Sequence, residues 1–124
     1  CSRLIKKMIS KTIQISNSNN LILGLTFKEN CPDIRNSKVF DLINEMHEYN
    51  MNIDVYDPNI DPKKLGDQDK FKMIDKLSIK YDTIIFAVKH NEFKNIDLQK
   101  YSNDSVVVFD LKNVLPRNIT DLRL

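Results

Sequence analysis

Lys28, Asp33 and Arg35 fall within a single connection, Gly24-Leu25-Thr26-Phe27-Lys28-Glu29-Asn30-Cys31-Pro32-Asp33-Ile34-Arg35-Asn36-Ser37, that joins an apolar run to a helical pattern. In α/β folds, ligands bind at such strand-to-helix junctions. Lys28 follows the run by a few residues, so its ammonium can point into the crevice beyond the strand ends. Lys112 follows a second apolar run, Ser105-Val106-Val107-Val108-Phe109, at the same edge. Two amines converging there suit the two phosphates of a nucleoside diphosphate; the plainer alternative is a pair of solvated lysines. Arg35 can reach a phosphate, or pair with Asp33 to fix the shape of the loop. Phe27 can offer its backbone and ring to a ligand in the crevice, or anchor the loop from the core. Ser37 or Asn36 can cap the helix that follows.

Other reactive residue types in the chain carry less. Cys31 lies between the cations Lys28 and Arg35, a setting that suits a nucleophile, but no histidine is near it in sequence, and it reads as unreactive. Asp57 ends an apolar segment where a dinucleotide-binding fold keeps its ribose-binding acid. That role also needs a glycine-rich turn after the first strand, and only Gly24 is there, followed by Leu25, Thr26 and Phe27. Asp57-Pro58 therefore reads as a turn. His90 reads as a loop residue near the crevice mouth, and His47 as an exposed helix residue.

The elements that must hold these groups are legible in the pattern. Asn20-Leu21-Ile22-Leu23-Gly24-Leu25 and Thr83-Ile84-Ile85-Phe86-Ala87-Val88 are unbroken apolar runs suited to parallel strands covered on both faces. Val39, Leu42, Ile43 and Met46 recur on one helical face, Asp41 lies in the first turn, and Asn50 suits the left-handed stop. Asn52 to Tyr56 is a second strand, Phe71 to Ile74 a short edge strand running into a weak helical turn through Leu77, and residues 91–101 hold short helical pieces. Leu4, Ile5, Met8, Ile9 and Thr12 predict an amphipathic helix over residues 3–13. Strands separated by helices predict an α/β, Rossmann-like three-layer fold with a mostly parallel five-stranded sheet in the order 3-2-1-4-5, preceded by an N-terminal helix.

Composition sets bounds on partners. A chain of 124 residues with 41% hydrophobic and 29% charged residues fits one domain with a moderate core. A net charge of +2 is too small to argue for nucleic acid or an anionic membrane, so anion binding must come from locally placed lysines. No apolar run approaches a membrane span, and no signal peptide is visible. Cys1 and Cys31 form neither a metal pattern nor a disulfide framework, which predicts a reducing cytoplasm and no metal. A start at Cys1, leading directly into a helix, predicts an excised piece of a longer protein.

Phe27-Lys28 followed by Asp33, Arg35 and Ser37, then Val55-Tyr56-Asp57-Pro58, then Phe109-Asp110-Leu111-Lys112-Asn113-Val114-Leu115, resembles the C-terminal nucleotide-sugar-binding domain of the UDP-glucose/GDP-mannose dehydrogenase family. The spelling FKENCPDIRNSKV is most similar to the branch that oxidises UDP-N-acetylhexosamines for surface polysaccharides. The resemblance implies that residues 1–19 are the tail of an inter-domain connecting helix with its linker and that residues 20–124 bind UDP. It implies substrate contacts from Phe27, Lys28, Arg35 and Lys112, with Asp33 and Ser37 organising the loop. It further implies a full-length, cytoplasmic homodimer that oxidises the sugar C6 hydroxyl to a carboxylate. NAD and the catalytic cysteine would belong to an N-terminal domain, with no cofactor and no turnover on this piece alone. The alternative is a non-catalytic nucleotide- or protein-binding module. One version is a phosphorelay receiver with Asp57 as acceptor, which lacks the acidic pair expected after strand one.

Overall fold

The computed structural model describes residues 2–11, 13–25, 39–58, 70–74, 77, 80–87, 98–110 and 122–123. Helix α1 spans Ser2–Ser10, strand β1 Asn19–Leu23, helix α2 Val39–Glu48, β2 Asn52–Tyr56, β3 Lys72–Ile74, β4 Tyr81–Phe86, a 3-10 turn Leu98–Tyr101, β5 Ser102–Asp110 and β6 Leu122–Arg123. The strands form one sheet in the order β3-β2-β1-β4-β5-β6, and every neighbouring pair is parallel. The expected five-strand order is present. A sixth strand of two residues extends it beyond β5, too short to leave a pattern in the sequence.

Both described helices contribute to the larger core. Leu4, Ile5 and Met8 of α1 and Val39, Ile43 and Met46 of α2 pack with Ile22, Ile53, Val55, Ile85, Val107 and Phe109 of the sheet. Side chains of this kind stabilise by roughly 1.5 to 3 kcal/mol each when buried, so α2 is firmly seated at its register. Along the strands, Leu21, Leu23, Ile84 and Phe86 alternate onto the opposite face and form a second cluster with Tyr81. Apolar burial on both faces explains why β1 and β4 carry unbroken hydrophobic runs.

Element ends follow local chemistry, with some departures from the pattern. Asn50 adopts a φ of 59° just after α2, the left-handed stop that asparagine tolerates. The first helix ends at Ser10 rather than reaching residue 13, and Ile9 points outward at 61% exposure, so its hydrophobic face is narrower than the spacing suggests. Strand β4 starts two residues early at Tyr81, and β5 starts at Ser102, because Tyr81 pairs with Ser102, a polar residue that carries no apolar signal. A register shift between Tyr81 and Thr83 marks where that pairing becomes irregular. No described helix is long and apolar enough to cross a membrane.

Candidate functional site

Tyr56, Leu23, Phe86 and Asp110 lie side by side in one row across β2, β1, β4 and β5. The sequence-predicted contacts belong to the segments that follow this row in the chain. Phe27, Lys28, Cys31, Asp33, Arg35 and Ser37 follow β1, Lys112 follows β5, and His90 follows β4; all lie outside the described residues. What the described residues fix is the platform. The ends of β1 and β5 lie at the same edge with only β4 between them, a separation of about 10 Å at ordinary strand spacing. This is the C-terminal edge of an all-parallel sheet, where open α/β folds place ligands.

The exit from β1 has a particular geometry. The Gly24 amide donates to the Tyr56 carbonyl at 3.0 Å, and the Leu25 amide donates to Asp57 Oδ2 at 2.8 Å. Consecutive amides of a regular strand point to opposite sides, yet here both reach the end of β2. Gly24 makes this possible with a φ of 104°, a conformation open to glycine and strained for other residues. Ala87 donates its amide to the Leu23 carbonyl at 3.0 Å and ties β4 to the same point. The β1 exit is therefore held from both neighbouring strands.

Two carboxylates are buried at this edge. Asp57 is 4% exposed, and Asp110 is fully buried as the last residue of β5. Asp57 does more than the turn expected of Asp57-Pro58: Pro58 does lie in a turn, while the Asp57 side chain reaches back to the β1 backbone. A carboxylate this enclosed is also poorly placed to accept a phosphoryl group from a partner. The sequence pattern missed this bond because Leu25 and Asp57 are 32 residues apart, and only the β1–β2 pairing brings them together. The one available clue is a carboxylate placed directly after an apolar strand.

The opposite edge of the sheet is built differently. Asn20 is fully buried and its amide donates to the Ser18 carbonyl at 3.1 Å, Ser18 Oγ at 3.0 Å and the Asn52 carbonyl at 3.0 Å. The Thr83 hydroxyl donates to the Asn20 side-chain oxygen, and the Asp82 carboxylate accepts the Asn19 amide at 2.9 Å. Tyr81 is fully buried, and its hydroxyl donates to Asp54 Oδ2 at 2.9 Å. Burial first, then that bond and the nearby carboxylate charge, push the Tyr81 phenol well above its ordinary pKa. A groove of about 500 Å³ also opens on this side, between α2, β2 and β3, lined by Asn17, His47, Asn50, Asn52, Lys70 and Lys72 among others. Those polar residues are exposed, the half-buried Asp54 that also lines it is bonded to Tyr81, and Lys70 Nζ is already held by Asn44 Oδ1 at 2.8 Å. His47 is exposed on α2 as expected. Among the described residues no cluster of histidine, cysteine or carboxylate side chains is arranged to hold a metal.

Comparison with known proteins agrees with this platform. The sequence profile described as "UDP-glucose/GDP-mannose dehydrogenase family, UDP binding domain" matches residues 21–117. The chain is 41% identical over 128 aligned residues to the UDP-N-acetyl-D-glucosamine 6-dehydrogenase of Salmonella typhi, covering 98% of this chain and 30% of that protein. It is 35% identical to Protein CapL of Staphylococcus aureus, covering 92% of this chain and 28% of the other. The chain thus spans under a third of the curated relatives it matches. In fold it is similar to a UDP-D-ManNAc dehydrogenase of Pyrococcus horikoshii, with a TM-score of 0.73 at 21% identity over 97% of this chain and 28% of that one. The TM-score is 0.76 against an NDP-N-acetyl-D-galactosaminuronic acid dehydrogenase of Methanosarcina mazei Go1, at 18% identity over 91% of this chain and 24% of the other.

Proposed function

The chain belongs to the UDP-glucose/GDP-mannose dehydrogenase family, matching its UDP binding domain, and on that premise we propose that it holds the nucleotide diphosphate of a UDP-sugar at the C-terminal edge of the sheet. The observation that carries this reading is the shared edge at which β1 and β5 end, one strand apart, with Lys28 four residues past Gly24 and Lys112 two past Asp110. Lys28 and Lys112 grip the pyrophosphate from its two sides, and Arg35 adds a planar fork for phosphate oxygens. Phe27 packs against sugar or base. Asp33 and Ser37 hold the loop in shape ahead of α2.

In this reading the chain is the substrate-binding part of a longer NAD-dependent 6-dehydrogenase that turns a hydroxymethyl carbon into a carboxylate, and it has no turnover alone. The relatives' names favour a UDP-N-acetylhexosamine as substrate, within surface-polysaccharide precursor synthesis. The residues here do not fit NAD: a single glycine follows β1, and the Asp57 carboxylate is buried against the Leu25 amide rather than open to a ribose. NAD and the catalytic cysteine therefore belong to another domain of the same protein. What this chain contributes is orientation. Anchoring the diphosphate fixes the sugar so that its C6 meets the reacting groups, and remote binding energy lowers the barrier at a carbon this domain does not touch. Residues 1–19 are the tail of the helix connecting the two domains, with its linker, in a cytoplasmic homodimer. The cytoplasmic assignment rests on Cys1 and Cys31, which are spaced for neither a metal nor a disulfide framework.

Isothermal titration of the 124-residue chain tests the assignment. UDP should bind more tightly than AMP or NAD. Equal affinity for the three, or a preference for NAD, contradicts it.

A further inference from the structure

We propose that Asp57 is a positioning residue for the nucleotide-diphosphate site, acting through the backbone of the segment that carries Phe27 and Lys28. The inference rests on the functional reading above and adds a residue to it. In a regular parallel strand the Leu25 amide would face β4, the neighbour on the far side from β2. The positive φ of Gly24 turns that amide back toward β2, where a backbone carbonyl already receives the Gly24 amide. Asp57 supplies the missing acceptor with a side-chain oxygen at 2.8 Å. Leu25 itself is fully buried in the main core, so both its amide and its side chain are fixed. The chain then departs from one defined point and direction, two residues before Phe27 and three before Lys28.

The geometry calls for a side-chain oxygen at this reach from the β2 end. A buried amide left without an acceptor is costly, and the Asp57 oxygen removes that cost at 2.8 Å. Asp57 does not touch the ligand in this account. Its effect reaches UDP only through where Lys28 starts, as expected of a group that preorganises a site rather than forming it.

The test compares Asp57→Asn, Asp57→Ala and Lys28→Ala with the parent chain. UDP affinity is measured by titration, thermal unfolding by circular dichroism, and hydrogen exchange at the Leu25 amide in the absence of ligand. Asparagine keeps an oxygen that can accept the Leu25 amide, so Asp57→Asn should bind UDP within about threefold of the parent. Asp57→Ala should lose about tenfold in affinity at a temperature where it is fully folded, with faster exchange at Leu25. If the alanine variant does not fold, Asp57→Ser, which is polar but too short to reach the amide, should show the same affinity loss. Parent-like affinity in the alanine or serine variant overturns the inference, as does an asparagine variant that loses as much as alanine. Failure of the parent chain itself to bind UDP overturns the functional reading together with this inference. A parent that binds while the Asp57 variants are unchanged removes this inference alone.

Discussion

The two edges of the sheet use buried polar groups in opposite ways. At the edge where the strands begin, Asn20, Ser18, Asn52 and Thr83 bond to one another and to the Ile15 and Asn17 carbonyls, so the network closes within the fold. At the edge where they end, the Gly24 turn and the Asp57 side chain fix the backbone at Leu25, just before the segment proposed to contact the substrate. A closed network stabilises the fold and has nothing left to offer a ligand. An edge that directs the chain outward is where a loop can be held rigidly enough to bind one. A buried polar side chain can thus be spent inside a network or used to fix the backbone at a strand end, and its partner decides which.

Substitutions at the two edges should accordingly change different observables. The largest effect is expected from Asn20→Ala, which strips three donated bonds and the acceptor for Thr83 from a fully buried site. It should cost about 2 to 4 kcal/mol in urea unfolding while leaving UDP affinity per folded molecule unchanged. An affinity loss there would break the separation of the two edges. Next, Lys28→Ala should weaken UDP binding by about tenfold or more, near 1.4 kcal/mol, with stability within about 0.5 kcal/mol of the parent. A stability loss without an affinity loss would make Lys28 a structural residue.

Smaller effects sharpen the same contrast. Tyr81→Phe removes the bond to Asp54 and should cost about 1 kcal/mol at neutral pH. Because the folded-state pKa of Tyr81 is raised, its contribution is fully present below the unfolded value of about 10 and falls away as pH rises above it. The parent should lose stability above about pH 10 more steeply than the phenylalanine variant; equal slopes would remove Tyr81 from the alkaline transition. Least of all, Asn50→Gly should be neutral or slightly stabilising, since residue 50 sits at a φ of 59°. Asn50→Ala should cost about 1 kcal/mol at the same position by thermal unfolding.

Much of this fold can be read from the sequence because burial on both faces writes an unbroken apolar run. The runs at Leu21 to Leu23 and Thr83 to Phe86 gave β1 and β4, and the order 3-2-1-4-5 followed from strands alternating with helical or loop segments. The rest was hidden for physical reasons. Strand β6 has two residues, Leu122 and Arg123, and two residues have no period. Ile9 belongs by spacing to the buried face of α1 but lies outside the width that the sheet covers. At the candidate site, the residue types and their order along the chain were legible, and so was the shared edge at which β1 and β5, the strands before Lys28 and Lys112, come to an end. The Leu25–Asp57 bond was not legible, because it depends on a backbone rotation at Gly24 and on the pairing of strands distant in sequence.

The most direct test of the account is a map of amide chemical-shift changes across the chain as UDP is added. The account predicts changes concentrated in residues 24–37 and 110–115, with Asn17 to Asn20, Asn50 to Asn52 and the groove beside Lys70 and Lys72 unaffected. Changes centred on that groove or on the Asn20 network, with residues 24–37 silent, would contradict it.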